Sequence, residues 1–155
     1  MKTACIIVCL SLTACQIHSQ RRVEPSAVAG CLQLYVGAWS PSPSPAEAFY
    51  LRSFEMQRVR LSTARLKEAR QGQDAFVMRA APGVPESNYD QLYWWRSADG
   101  IHLRMGESGV HGAVFTLRSS GDTDSLSGTV ITTAAEAELR EFRATVSAHR
   151  VSCVP

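Results

Sequence analysis

The strongest constraint on the fold is a series of short runs in which apolar and polar residues alternate, separated by turn-forming residues. Such alternation is typical of β-strands with one buried face. The proline-rich stretch 40–45 ends the first run, because proline cannot pair within a central strand. We therefore predict an all-β, antiparallel meander of about eight strands, drawn from the runs 31–39, 49–54, 57–62, 75–80, 91–96, 101–105, 113–118, 125–133 and 141–151.

Two connections have the composition of tight hairpins, and two segments depart from the strand pattern. Ala98-Asp99-Gly100 and Ser119-Ser120-Gly121-Asp122 carry the Asp and Gly residues that tolerate positive φ. The segments 63–73 and 134–139 are rich in helix-forming residues. We expect one or two short helices there and sequence-adjacent strand pairing elsewhere.

The N-terminus has the layout of a bacterial export signal. Lys2 precedes an apolar run, 4–12, that is too short to span a bilayer. It ends in Leu12-Thr13-Ala14-Cys15, which resembles the lipobox of bacterial lipoproteins; an ordinary signal peptide is the alternative. The resemblance implies cleavage after residue 14, lipidation of Cys15 with palmitate among the acyl chains, and attachment to a membrane facing the periplasm. Gln16 favours the outer membrane, since an Asp there tends to retain lipoproteins in the inner membrane.

The remaining chain suits one domain. About 140 residues follow position 14, enough for a substantial core. The polar segment 15–29 contains Arg21-Arg22 and Pro25 and is typical of a flexible tether, so we expect the folded domain at 30–155. The formal charge of the whole chain is +2, which does not favour a nucleic-acid partner.

Two cysteines remain once the signal and the lipidated residue are set aside. Cys5 and Cys9 belong to the signal, which leaves Cys31 and Cys153 as a pair in an oxidising compartment. We predict a disulfide that stabilises the domain by about 4 to 5 kcal/mol on chain-entropy grounds.

The disulfide also suggests how the sheet closes. If the first and last strands pair near the two cysteines, with paired residue numbers adding to 184, Val36 lies opposite Ala148 and Ala38 opposite Val146. The even-numbered apolar residues of both strands then share one face, and a one-residue slip would lose that agreement. We favour a closed barrel over a sandwich with adjacent terminal strands.

Gly37-Ala38-Trp39 near the end of the first run is similar to the Gly-x-Trp motif of lipocalins and the wider calycin group. The resemblance implies an up-and-down barrel that binds an apolar ligand at an open mouth, with an arginine of the last strand, Arg143 or Arg150, beside the tryptophan. Lipocalins place the motif before or early in the strand, whereas an apolar strand precedes it here.

The feature of the domain that favours a binding function is an aromatic cluster of Tyr89, Tyr93, Trp94 and Trp95. Tyr93 and Trp95 should face one side of their strand and Trp94 the other. We name Trp39, Tyr93, Trp95 and Phe115 as ligand-binding candidates, since aromatic rings contribute much of the affinity of binding sites. The alternative to a binding role is structural: one face of the strand fills the barrel interior, and Trp94 packs against the tether or a loop. Small inward residues such as Ala144 would leave room for a ligand. Trp95 or Phe115 could instead fill that room.

Motifs for chemistry are weak. The histidines have no metal-ligand spacing, Asp122-Thr123-Asp124 fits a hairpin turn better than a calcium loop, and no nucleophile or phosphate-loop motif occurs. We predict no metal site, no cofactor and no enzymatic activity. The histidines are His18, His102, His111 and His149.

Three functions fit these features. The first is a carrier of a small apolar ligand, which we favour slightly. The second is a structural or protein-interaction module of the cell envelope, and the third is an inhibitor of an envelope-attacking hydrolase. A hollow barrel would favour the carrier, and a filled barrel would favour one of the other two functions.

Overall fold

The protein is a closed antiparallel barrel in which each strand pairs with its neighbour in sequence and the last strand returns to the first. The computed structural model describes residues 28–42, 50–68, 74–85, 89–107, 111–119, 124–134 and 141–153. These residues confirm the all-β class, the meander and the closure, and they exclude the sandwich. Their elements are β1 (Gly30–Val36), β2 (Ser53–Arg60), α1 (Thr63–Glu68), β3 (Ala75–Ala80), β4 (Gln91–Ser97), β5 (Gly100–Gly106), β6 (His111–Ser119), β7 (Ser125–Ala134) and β8 (Arg143–Val151).

Two predicted elements differ from the structure. In place of the two predicted runs 49–54 and 57–62 there is one strand, β2, over 53–60, because Phe54 and Met56 continue the alternation without a turn and both are buried. α1 confirms the first helical segment. The second, 134–139, lies outside the described residues except for Ala134, which ends β7.

The pairing of β1 with β8 is shifted by two residues from the predicted register. Val36 lies opposite Val146 and Leu34 opposite Ala148. A shift of two preserves which residues face inward, so the apolar pattern could not distinguish the two registers. Cys31 lies opposite Val151, and the predicted disulfide reaches Cys153 just beyond the strand, with the two Cα atoms 5.2 Å apart.

The barrel interior is filled by large apolar side chains. An eight-stranded barrel is just wide enough for side chains to fill, and a fully buried side chain of this kind stabilises the fold by about 1.5 to 3 kcal/mol. The largest of them, all below 2% exposed, are Trp94, Phe54, Phe115, Leu32, Met56, Leu103, Met105 and Leu117.

Trp94 is the largest interior side chain, and a bulge in β2 satisfies its polar atom. Its ring stacks on Phe76 with the ring centroids 4.7 Å apart. The pairing of β2 with β3 shifts between Met56 and Arg60, and within that irregular segment the carbonyl of Gln57 accepts a hydrogen bond of 3.0 Å from Trp94 Nε1. The buried indole N–H therefore avoids the cost of an unpaired donor.

The hairpin between β4 and β5 is confirmed. Ser97 pairs with Gly100, which leaves Ala98 and Asp99 as a two-residue turn. Gly100 has a φ of 148°, and a Cβ atom there would collide with the carbonyl oxygen of Leu117. Glycine is required at this position on both grounds.

The two ends of the barrel are closed differently. At the clasped end, where odd-numbered strands begin and even-numbered strands end, the disulfide joins the entry of β1 to the exit of β8. Arg150 Nη1 donates to the carbonyl of Ala29 at 3.0 Å, and Arg150 N donates to the carbonyl of Asp124 at 2.9 Å. Val28 is 6% exposed and packs against the core, so ordered packing begins before residue 30. The predicted signal and most of the tether lie outside the described residues.

Candidate functional site

The opposite end of the barrel, which we call the rim, carries a group of partly buried apolar side chains on its β1–β4 side. These side chains pack against the core from loops and strand ends and include three aromatic residues. Partly exposed apolar side chains gathered in one place are typical of interaction sites, whereas scattered ones are ordinary. The members of the rim are Val36, Trp39, Tyr50, Ala80, Tyr89 and Leu92.

A chain of ring contacts joins the rim to the interior. Trp39 lies 6.4 Å from Tyr50 between ring centroids. Tyr50 in turn meets Phe115 edge to face at 5.8 Å, and Phe115 has no exposed surface. Next to Tyr50, Leu51 N donates to Met105 Sδ at 3.3 Å. The rim therefore rests on a packed floor.

The structure divides the four candidate binding residues between two regions. Trp39 and Phe115 belong to the rim and its floor, linked by Tyr50. Tyr93 and Trp95 lie on the outer face of β4, and Trp94 lies inside the barrel. The prediction that Trp95 faces inward and Trp94 outward was therefore wrong. Both faces of β4 are aromatic, and Phe76 and the β2 bulge accommodate Trp94 inside, which the alternation of β4 alone could not reveal.

Tyr93 and Trp95 form part of a second, smaller core outside the barrel. Tyr93 is buried with Leu61 and Ala75, and Leu66 of α1 packs against this group. The ring centroids of Tyr93 and Trp95 are 5.8 Å apart. α1 covers a face that would otherwise be exposed and apolar, so these two aromatic residues serve stability.

A polar cluster centred on His102 borders this second core. The imidazole stacks on Trp95 with centroids 4.9 Å apart. Its Nε2 lies 2.6 Å from Ser97 Oγ and 3.0 Å from Asp99 Oδ1, and its Nδ1 lies 3.2 Å from Thr116 Oγ1. The cluster ties the hairpin turn to β6.

Asp99 accepts hydrogen bonds from two members of that cluster. Hydrogen bonds from Ser97 and then from His102 hold the pKa of Asp99 below its ordinary value of 3.8. Since a carboxylate only accepts, His102 Nε2 carries the proton that faces it.

The cluster contains Ser, His and Asp but does not have the geometry of a catalytic triad. In a triad the carboxylate contacts one ring nitrogen and the nucleophile the other. Here the Asp99 carboxylate and the Ser97 hydroxyl contact the same nitrogen, Nε2. The arrangement orients a turn and does not activate the serine.

Two features of these sites were missed at the level of sequence. Tyr50 connects Trp39 to Phe115, but the sequence placed it within the predicted strand 49–54 and gave it no binding role. The His102 cluster could have been found from the hairpin, because a two-residue turn at 98–99 places His102 opposite Trp95.

Within the described residues, no group of three or more His, Cys, Asp or Glu side chains could hold a metal ion. In the same part of the chain, no helix is long and apolar enough to cross a membrane.

Comparison with protein-family models, with curated proteins and with solved structures found no match to this chain.

Proposed function

We propose that the protein is a lipid-anchored, non-catalytic component of a bacterial cell envelope that binds a partner protein through the rim of its barrel. The observation that carries this proposal is the group of partly exposed apolar residues above a packed floor. Aromatic side chains such as Trp39 and Tyr50 are the residue types that dominate binding energy at protein interfaces.

The filled interior favours a surface over an internal cavity. A cavity able to take a ligand would leave accessible area on the side chains that line it. Phe115, Leu103 and Trp94, from three different strands, retain none. A small apolar ligand is the second candidate, supported by the Trp39–Tyr50 pair, and it would lie at the rim.

A calycin-like relationship is part of the proposal. The closed meander of eight strands is compatible with it, as is the position of Trp39, since Ser40 bridges to Arg143 of the last strand. Arg143 donates to Glu141 at 2.6 Å, and the tryptophan follows β1 where the family has it earlier.

The anchor and the rim are compatible in space. The chain from Cys15 reaches the barrel at Val28, which packs against the core at the clasped end. Thirteen residues span at most about 45 Å when extended. The tether joins the domain at the end opposite the rim, so the anchor does not require the rim to face the lipid. The outer membrane is the proposed location.

Mass spectrometry of the full chain expressed in a bacterium tests the anchor. We expect a mature protein that begins at Cys15 and carries acyl chains, whereas Cys15→Ser should give no acylated form. Cys9→Ser, which changes a cysteine of the signal, is the matched control and should be processed normally. An unacylated wild-type chain would refute the anchor.

Photo-crosslinking in cells tests the rim. A benzophenone amino acid at the position of Trp39 should capture a protein of discrete size. The same group at the position of Tyr35, which is 53% exposed on the barrel wall, is the control and should not. Equal capture at both positions, or none at Trp39, would contradict rim binding of a protein. Dye binding that is lost in Trp39→Ala would then favour the small ligand.

A further inference from the structure

Acidic residues are concentrated in the four connections at the rim. These connections are the segments 37–52, 81–90, 107–110 and 135–142, which join β1 to β2, β3 to β4, β5 to β6 and β7 to β8. They contain seven of the 14 acidic residues of the chain and two of the 16 basic residues. Because each connection starts and ends at the rim, this end of the barrel carries an excess of negative charge.

The domain as a whole is electrically balanced. From residue 28 onward the chain has equal numbers of basic and acidic residues. At the clasped end, carboxylates of the connections pair with arginines near the strand exits. Arg60 Nη2 lies 3.3 Å from Asp74 Oδ2, and Arg150 Nε lies 3.5 Å from Asp124 Oδ1. The negative charge of the rim therefore reflects an uneven distribution and not the composition of the domain.

Two exposed carboxylates stand side by side at the rim, where β4 begins and β5 ends. Gln91 is the first residue of β4 and pairs with Gly106, the last residue of β5. The same register, continued by one residue, sets Asp90 opposite Glu107, and both residues are exposed. Like charges directly opposite each other on neighbouring strands are destabilising. A basic side chain placed between the two carboxylates would remove that repulsion.

This carboxylate pair borders the apolar group of the rim. Tyr89 precedes Asp90 in the chain and packs against the core, as does Leu92 two residues later. The backbone carbonyl of Asp90 accepts a hydrogen bond of 3.1 Å from Arg65 Nη2, which ties this corner of the rim to α1. An apolar side chain of a partner that lies on Tyr89 would bring the groups next to it close to the carboxylate pair.

We propose that the partner protein bound at the rim presents a basic surface, in which Lys or Arg side chains surround an apolar side chain. The inference rests on the proposed function and names the chemistry of the partner. Complementary charge speeds association and suppresses wrong partners, while contact with Trp39 and Tyr89 supplies affinity. The pair Asp90 and Glu107 is the part of the rim that receives a basic side chain.

Thermal unfolding distinguishes a binding role of the carboxylate pair from a structural one. Asp90→Asn combined with Glu107→Gln removes the repulsion, so this double variant should melt at the temperature of the wild type or above it. A melting temperature more than about 3 °C below that of the wild type would show that the pair supports the fold, and would overturn its assignment to binding.

Two synthetic peptides that differ in charge are the probes for binding. Lys-Trp-Lys-Leu-Lys-Trp should bind at least about tenfold more tightly than Glu-Trp-Glu-Leu-Glu-Trp at about 10 mM salt, where the Debye length is about 30 Å. It should shift the amide resonances of Tyr89 and Leu92. At about 1 M salt, where the Debye length is about 3 Å, the preference should nearly disappear. Equal binding of the two peptides at low salt, or resonance shifts confined to the clasped end, would overturn the proposal.

A matched pair of double variants tests the location of the charge. Asp90→Asn with Glu107→Gln should bind the basic peptide at least about fivefold more weakly than the wild type. Asp74→Asn with Asp124→Asn removes as many carboxylates from the clasped end and should bind within about twofold of the wild type. Equal weakening in both double variants would mean that the peptide responds to overall charge, which would overturn the proposal.

Crosslinking in cells separates this inference from the proposed function. Capture at position 39 should fall at least about fivefold when Asp90→Asn and Glu107→Gln are present. Undiminished capture would overturn the basic partner and leave the rim function standing. No capture at position 39 in the otherwise unchanged chain would contradict the rim function itself, and this inference with it.

Discussion

The two ends of the barrel differ in what holds them. The clasped end is tied by a disulfide, by Arg150 and by a two-residue hairpin with a positive-φ glycine. The rim carries a group of partly exposed apolar side chains on its β1–β4 side. Stability and the proposed binding surface are therefore assigned to opposite ends, which allows the rim to vary without unfolding the barrel.

Removal of the disulfide should have the largest effect. The double variant Cys31→Ser, Cys153→Ser releases a crosslink across 122 positions of sequence, which predicts a loss of about 5 kcal/mol in the free energy of unfolding by chain entropy. Urea unfolding measures the change. Reducing agent should destabilise the wild type equally and leave the variant unchanged; a loss below about 1 kcal/mol would mean that Arg150 and Val28 secure this end alone.

Gly100→Ala should have the next largest effect. The new Cβ would collide with a backbone carbonyl of β6, and alanine disfavours a φ of 148°. We expect a loss of about 1 to 3 kcal/mol, measured by thermal unfolding. Ala98→Gly, in the same turn, is the control and should change stability by less than about 1 kcal/mol. Tolerance of alanine would show that the hairpin contributes little to the clasped end.

The fold was more predictable than the site, and the reason lies in periodicity. Alternation and turn residues specified an antiparallel meander, and the terminal cysteines indicated its closure. The same periodicity could not choose between two registers of β1 against β8 that differ by two residues, because both place Leu34 and Val36 on the same face.

The site was harder because aromatic residues serve cores as well as surfaces. Of the four candidates, Trp39 lies at the rim, but Tyr93 and Trp95 belong to the core beneath α1. Whether an outward aromatic side chain is covered depends on where a helix packs. That contact is tertiary, so the sequence pattern of β4 does not indicate it.

Trp39→Ala tests the independence of the rim. The side chain is partly exposed and its ring lies 6.4 Å from that of Tyr50, so we expect a loss of at most about 1 to 1.5 kcal/mol in chemical unfolding. Trp94→Ala, in the interior, is the contrast and should cost about 3 to 5 kcal/mol. Equal losses would make Trp39 a structural plug and remove the distinction between the two ends.

The smallest effect should be a pH dependence confined to the clasped end. Hydrogen bonds from Ser97 and His102 lower the pKa of Asp99 in the folded protein, so its contribution to stability is present above the unfolded pKa and is lost as the pH falls through the lower, folded pKa. Asp99→Asn should therefore melt below the wild type at neutral pH, and the gap should close as the pH falls below 3.8. Glu107→Gln, an exposed carboxylate beyond β5, is the matched control and should show a smaller gap. A difference between Asp99→Asn and wild type that persists at the lowest pH would mean that the shape of the side chain, and not its charge, locks the turn. In that case the clasped end would be held by packing and covalent closure alone, and its stability would change with acid no more than that of the rim.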